Sequence, residues 1–313
     1  MLHARVPTPY LGELCALLAP LAWSVAVILF RQSGSAPAVS LNLFKNTLAI
    51  VLLSLTLLIA GIPLPSDRPW ADWGRLVVSG LLGLAVADTL LFEGLRRIGA
   101  ARLAVVDTAY APVVVLLSTL VLGEEPTPAF FVGVVVVVGG LLLATVRPPP
   151  ERGPDGETAA QARASARELA IGTLYAFCAI TGTAVGVVIA KPVLAEANLV
   201  EVTWTRLVAG FLGQVVWIVA TGRGSLAIIA FRPGRLWRTL LPGAFIGTYV
   251  SLMLWLGGFK WADASVAAVL NQMATVYMMG LAWLVLGERL GVRQVLGGLL
   301  AAGGALWIVY ARM

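Results

Sequence analysis

LVLGEEPTPAFFVG, residues 120–133, closes one apolar run and leads into the next. LVLGERLGVRQVLGG, residues 284–298, does the same. The two L-V-L-G-E blocks stand 164 residues apart (288 minus 124). Sliding residues 91–146 onto 255–310 by that offset needs no gap. Fourteen of the 56 positions are then identical, among them Gly94/Gly258, Ala100/Ala264, Gly133/Gly297 and Gly139-Gly140/Gly303-Gly304. Upstream the match is fainter: Lys45 pairs with Arg206 and Arg31 with Lys191 after small changes of offset. A five-residue identical block and a glycine pattern in one register mark an internal duplication.

The duplicated material is apolar. The chain has 313 residues, is 59% hydrophobic and only 12% charged, and has a mean hydropathy of +0.91. A soluble domain is typically about 45–50% apolar and about 25% charged, so this chain cannot cover a water-exposed surface. Ten runs are long enough to cross a hydrocarbon core about 30 Å thick. They lie near 11–30, 41–60, 74–95, 100–122, 129–146, 169–190, 202–221, 239–259, 264–286 and 292–310. Residues 147–168, RPPPERGPDGETAAQARASARE, are rich in proline and charge and read as a linker. The expected fold is all-α and integral to the membrane. Ten transmembrane helices form two five-helix repeats, 1–146 and 169–313, joined by 147–168. An odd number of spans per repeat makes the second copy enter the membrane from the opposite side. The repeats are therefore inverted, as in many secondary transporters, which bind substrate near the midplane between halves.

The ten-span pattern resembles the EamA family of the drug/metabolite transporter superfamily. The residues that carry the likeness are Phe92 to Arg102, then Pro112 and Leu122-Gly123-Glu124, and in the second half Asp263-Ala264-Ser265 and Leu286-Gly287-Glu288. Val276 stands where the first half has Pro112, so the halves need not bend alike. The resemblance implies a cytoplasmic N-terminus and a cavity lined by spans four and nine. The positive-inside rule argues for the reverse orientation, because Arg96, Arg97, Arg102 and the linker arginines would then lie outside.

Ionisable residues inside spans are costly and mark candidate sites. Lys45 and Arg206 hold matching places in spans two and seven. They either face the cavity as a pair of cations for an anionic substrate group, or snorkel to the interface. Asp88 lies well inside span three, with Leu252 as its offset mate. A carboxylate there needs a partner or a proton, so Asp88 is the proton-coupling candidate, with a structural pair to Lys45 as its rival. The offset brings together Asp107 and Asn271, two short polar side chains at equal depth, with Tyr110 and Gln272 beside them. Trp23, Trp204, Trp255 and Tyr277 are mid-span aromatics suited to a pocket wall, Trp23 foremost. The spacings Gly182/Gly186 and Gly243/Gly247 read as close helix packing. Glu124 and Glu288 sit at corners where each can cap the helix that follows.

Other chemistry is poorly supplied. Cys15 and Cys178 lie in apolar runs and read as buried thiols, and His3 is the single histidine. No metal, cofactor or nucleic-acid site is expected. No G-x-x-x-x-G-K-[ST] stretch occurs, which argues against an ATP-driven pump. The expected function is a secondary transporter of small organic metabolites, amino-acid-like compounds or drugs, acting as an exporter and not an enzyme. Its expected place is the cell membrane, as a multi-pass protein. Its expected partners are lipid, a small-molecule substrate and, as a candidate, coupled protons; monomer and homodimer both stay open. The alternative is a membrane enzyme acting on a lipid-linked or apolar substrate, for which Glu124-Glu125 is the one paired acidic cluster.

Overall fold

The computed structural model describes residues 10–32, 37–65, 67–145, 159–286 and 291–310. His3, most of the linker and the pair Gly287-Glu288 lie outside them. The first half holds α1 (Leu11–Gln32), α2 (Ala38–Ile59), α3 (Trp70–Gly80), α4 (Ala87–Asp107), α5 (Tyr110–Leu117) and α6 (Pro128–Thr145). The second holds α7 (Ala159–Glu196), α8 (Leu199–Ala220), the single turn α9 (Gly224–Ala227), α10 (Trp237–Ala244), α11 (Ser251–Trp261), α12 (Ala264–Asn271), α13 (Ala274–Leu286) and α14 (Val292–Tyr310). There is no strand among the described residues. Among the described residues, eight stretches are long and apolar enough to cross a membrane, and Tyr110–Leu122 and Pro128–Leu143 are shorter apolar helices. With so little polar surface, every buried backbone group must be satisfied within its own helix, which is why the described residues are almost entirely helical.

Equivalent helices of the two halves pack antiparallel. A Cβ on Gly140 of α6 would meet Ala301 N and Gly297 O of α14 at 2.6 Å, and one on Gly304 would meet Val137 N at 2.9 Å and Gly133 O at 3.1 Å. The four contacted positions are themselves repeat mates, 133/297 and 137/301. The duplicated glycines thus build a reciprocal contact in which two backbones touch. In α2 and α8, Trp204 Nε1 donates to Ser54 Oγ at 2.8 Å and Asn46 Nδ2 to Gln214 Oε1 at 3.1 Å, so these helices also run in opposite senses. Each half lends its first helix to the other. α1 packs on α10 to α13, and α7 packs on α3 to α5. Gly182 and Gly186 let α7 approach Leu82, Gly83 and Ala87, while Gly243 and Gly247 receive Phe30 and Ala26 of α1.

Most irregularities recur in the same register, although the π-helical Ser118–Leu122 matches ordinary α-helix at 282–286. Leu81–Val86 and Phe245–Val250 are both π-helical, and both ranges differ by the offset of 164. The fourth and ninth segments both break, at Thr108-Ala109 and Gln272-Met273. Ala109 N donates to Val106 O and Met273 N to Leu270 O, again equivalent bonds, at 3.0 and 3.1 Å. The halves therefore bend alike although Val276 replaces Pro112, so proline is not the cause of the break.

Two expected boundaries differ. α7 begins at Ala159, so the last part of the expected linker is helical. The expected gap between spans three and four is helical too, since α4 runs from Ala87 to Asp107. Both its ends border one cavity, and its counterpart in the second half breaks at Ala262-Asp263.

Candidate functional site

A cavity of about 310 Å³ lies between the halves, at the small end of the range for ligand sites. Its walls come from α1, α2, the first π segment, α4 and α5, and from their counterparts in the second half. With the exception of Gln272, every lining residue has its repeat mate in the lining as well. Trp23 matches Thr183, Lys45 matches Arg206, Leu91 matches Trp255, and Asp107 matches Asn271. The cavity therefore sits on the pseudo-two-fold axis. The helix breaks and the two matching π segments border it, so the irregular backbone lies where it faces open volume rather than lipid.

Of the residues singled out from the sequence, Trp23, Lys45, Asp88, Asp107, Tyr110, Arg206, Trp255, Asn271 and Gln272 border this one space. Both cations line the cavity. Arg206 is 2% exposed, and its guanidinium stands 5.6 Å from the ring centre of Trp255. Lys45 donates to Asn46 Oδ1 at 3.2 Å, and Asp88 has Lys45 and Asn42 as its polar neighbours. Asp107 is deep in the bundle yet its side chain is exposed, because it faces the cavity. Its carbonyl accepts from Gln272 Nε2 at 2.9 Å, which ties the two breaks together. Asn271 Nδ2 donates to Ala267 O at 2.8 Å, holding its own helix end. Trp204 and Tyr277 do not reach the cavity.

Thr248, Ser251 and Asn46 also line the space and were not singled out. Asn46 adjoins Lys45, which was a usable signal. The hydroxyls had none, because Ser and Thr are common in apolar helices and bond to their own backbone.

One end of the bundle is closed, the end where α1 begins. Beneath the cavity there, Ala264 to Leu270 are all buried against Val114, Val193, Leu256 and Phe259. Helix ends here are capped by side chains from other helices. Lys260 Nζ donates to the carbonyls of Leu194, Ala195 and Ala197 at 2.6, 3.0 and 2.7 Å, and Lys191 Nζ to those of Phe259 and Ala262 at 2.8 and 2.7 Å. Both lysines satisfy orphan carbonyls where the helix dipole is negative. Arg68 and Glu201 form a buried two-bond ion pair at 2.6 and 2.7 Å. Glu124 does not cap the helix that follows it; Thr127 Oγ1 takes that role, accepting from Phe130 N at 3.2 Å. Glu124 instead reaches the other half and accepts from Ala264 N, Ser265 N and Ser265 Oγ at 2.6, 3.0 and 2.7 Å. The carboxylate a membrane enzyme would need is thus committed to a helix end. Of the two thiols, Cys15 is buried but Cys178 is exposed, on a face of α7 that the bundle leaves uncovered.

No curated protein matches this chain. A solved structure described only as "Crystal structure of protein" superposes with a TM-score of 0.75 at 20% identity, over 97% of this chain and 98% of that one, and shares the fold. The model of the EamA-like transporter family matches residues 10–146 and again 170–310, the two copies found from the doubled LVLGE block. With the match covering nearly the whole length twice over, this multi-pass membrane protein belongs to the EamA-like transporter family.

Proposed function

We propose that the protein is a secondary transporter that exports small organic metabolites, amino-acid-like compounds or drugs across the cell membrane by alternating access. On this reading it has ten spans in two inverted repeats, 1–146 and 169–313, with 147–168 as the connection. One observation carries the reading: a cavity on the pseudo-two-fold axis, lined by repeat mates, beside a closed end. In an inverted duplication, exchanging the conformations of the two halves moves that closure to the other end. Trp23, Asp107, Tyr110, Asn271 and Gln272 line the substrate path, and Lys45 and Arg206 supply its positive charge. Asp88 is the proton-coupling residue. It sits beside Lys45 and the cavity, so gaining or losing a proton there changes the charge that a substrate meets.

The experiment is flux into proteoliposomes under an imposed pH gradient, with a panel of labelled metabolites. Wild-type protein accumulates at least one of them, and Asp88→Asn abolishes gradient-driven accumulation while eluting and melting like wild type. Undiminished gradient-driven flux in Asp88→Asn removes the coupling role. A reporter cysteine in the cavity that is labelled from only one side under every condition removes alternating access.

A further inference from the structure

Arg206 is the largest side chain this fold buries almost completely. Its Nε and Nη1 have no hydrogen-bond partner, and no carboxylate lies in ion-pair range of it among the described residues. A buried guanidinium in that state is costly, because its hydration is lost and nothing replaces it. The ring of Trp255 compensates only in part.

The duplication shows what is missing. Lys45 is the repeat mate of Arg206, and Lys45 has Asp88 as its carboxylate neighbour. The repeat mate of Asp88 is Leu252, which also borders the cavity. The second half has kept the cation and replaced its counter-ion with an apolar side chain. Two further hydroxyls in the cavity wall are buried with no acceptor: that of Tyr110, which has only the Trp255 side chain nearby, and that of Thr248. Both residues line the same space, and Tyr110 lies within electrostatic range of Arg206. Gly83 adds to the arrangement, since a Cβ there would come within 3.8 Å of Arg206 Nη2.

We infer that Arg206, Tyr110 and Thr248 form an oxyanion subsite that takes a carboxylate of the transported solute in place of the internal counter-ion the first half retains. The inference rests on the cavity being the solute site. A carboxylate accepts two parallel bonds from a guanidinium, which is the pairing Arg makes best. Its remaining lone pairs suit two hydroxyl donors. The adjoining walls, Trp255 and Leu252, are apolar, so the rest of the solute near this subsite is apolar as well. Solutes bearing a free carboxylate are selected over their uncharged amides.

The test uses the full chain in lipid nanodiscs and phenylacetate as the probe, with phenylacetamide, chloride and inorganic phosphate as separate arms. Binding is followed by tryptophan fluorescence, since Trp255 lies against Arg206. Wild type binds phenylacetate at least about tenfold more tightly than phenylacetamide, as expected for a hydrogen-bonded charge. Arg206→Gln removes the preference, and Arg206→Lys keeps part of it. Leu252→Asp is the decisive variant: it restores the internal counter-ion, so it abolishes phenylacetate binding while the protein melts no lower than wild type. Equal binding of acid and amide overturns the assignment. So does Arg206→Gln with wild-type discrimination, or chloride or phosphate competing as well as phenylacetate does. Transport is read separately in proteoliposomes. If solutes cross but acid and amide move alike, the subsite falls and transport stands. If phenylacetate binds with Arg206-dependent preference and no solute crosses, transport falls and the subsite stands.

Discussion

Removing the Glu124 carboxylate should open the closed end of the bundle. Glu124 makes three bonds, at 2.6, 3.0 and 2.7 Å, to the first residues of α12 in the opposite half. A hydrogen bond to a charged group contributes about 1.5–3 kcal/mol net, and losing a helix cap costs about 0.5–2 kcal/mol. The three bonds share one carboxylate and do not add, so Glu124→Ala should weaken the closure by about 2–4 kcal/mol. That is roughly a 30- to 1,000-fold shift toward the open end. Glu124→Gln keeps one acceptor oxygen and should lose less. A cysteine placed at Val266, which is 3% exposed within the closed end, reports the opening. In a background lacking Cys15 and Cys178, its labelling by a membrane-impermeant maleimide should accelerate in that order: Ala, then Gln, then wild type. Unchanged labelling in Glu124→Ala would refute the argument, even if the protein melted at a lower temperature. A cap that serves only general stability lowers melting without exposing position 266.

The doubled glycines give a paired test. Gly140→Ala should cost about 1–3 kcal/mol, because its methyl meets the α14 backbone at 2.6 Å. Gly139→Ala should cost nothing, because nothing lies within 4 Å there and alanine is the better helix former; thermal melting of the two variants separates them. The Arg68–Glu201 pair is 7% and 2% exposed. Arg68→Met should therefore cost about 3–5 kcal/mol, and the double variant Arg68→Met/Glu201→Met should recover most of that. A double-mutant cycle by chemical denaturation checks it; purely additive losses would count against a buried pair.

The duplication was legible because it is a one-dimensional property. Apolar length and a fixed offset can be read without knowing what touches what, and the same offset singled out Asp107 and Asn271 and put Leu252 opposite Asp88. The constant offset in fact extends upstream to Gly83/Gly247, where both halves are π-helical. Two identical glycines in matching apolar runs were the available sign. The π turns themselves left none, since their sequences, LLGLAV and FIGTYV, are ordinary helix formers. The expected gap within α4 was misjudged because Gly99 and Ala100 look like a break, and glycine in a helix costs only about 1 kcal/mol, which packing against α7 overrides.

By itself, then, the sequence determined the membrane class and the two copies, because charge content, run length and a fixed offset are read along the chain alone. It could not say which side chains meet across the copies. Glu124 was expected to serve its own corner, and it caps α12 of the other half, 140 residues away in the chain. Lys45 and Arg206 looked like equivalent cations, and only packing showed one beside a carboxylate and the other alone above Trp255. Helix rotation and the exchange of α1 and α7 between halves decide those neighbours, and both are set by side-chain interlocking between segments far apart in sequence.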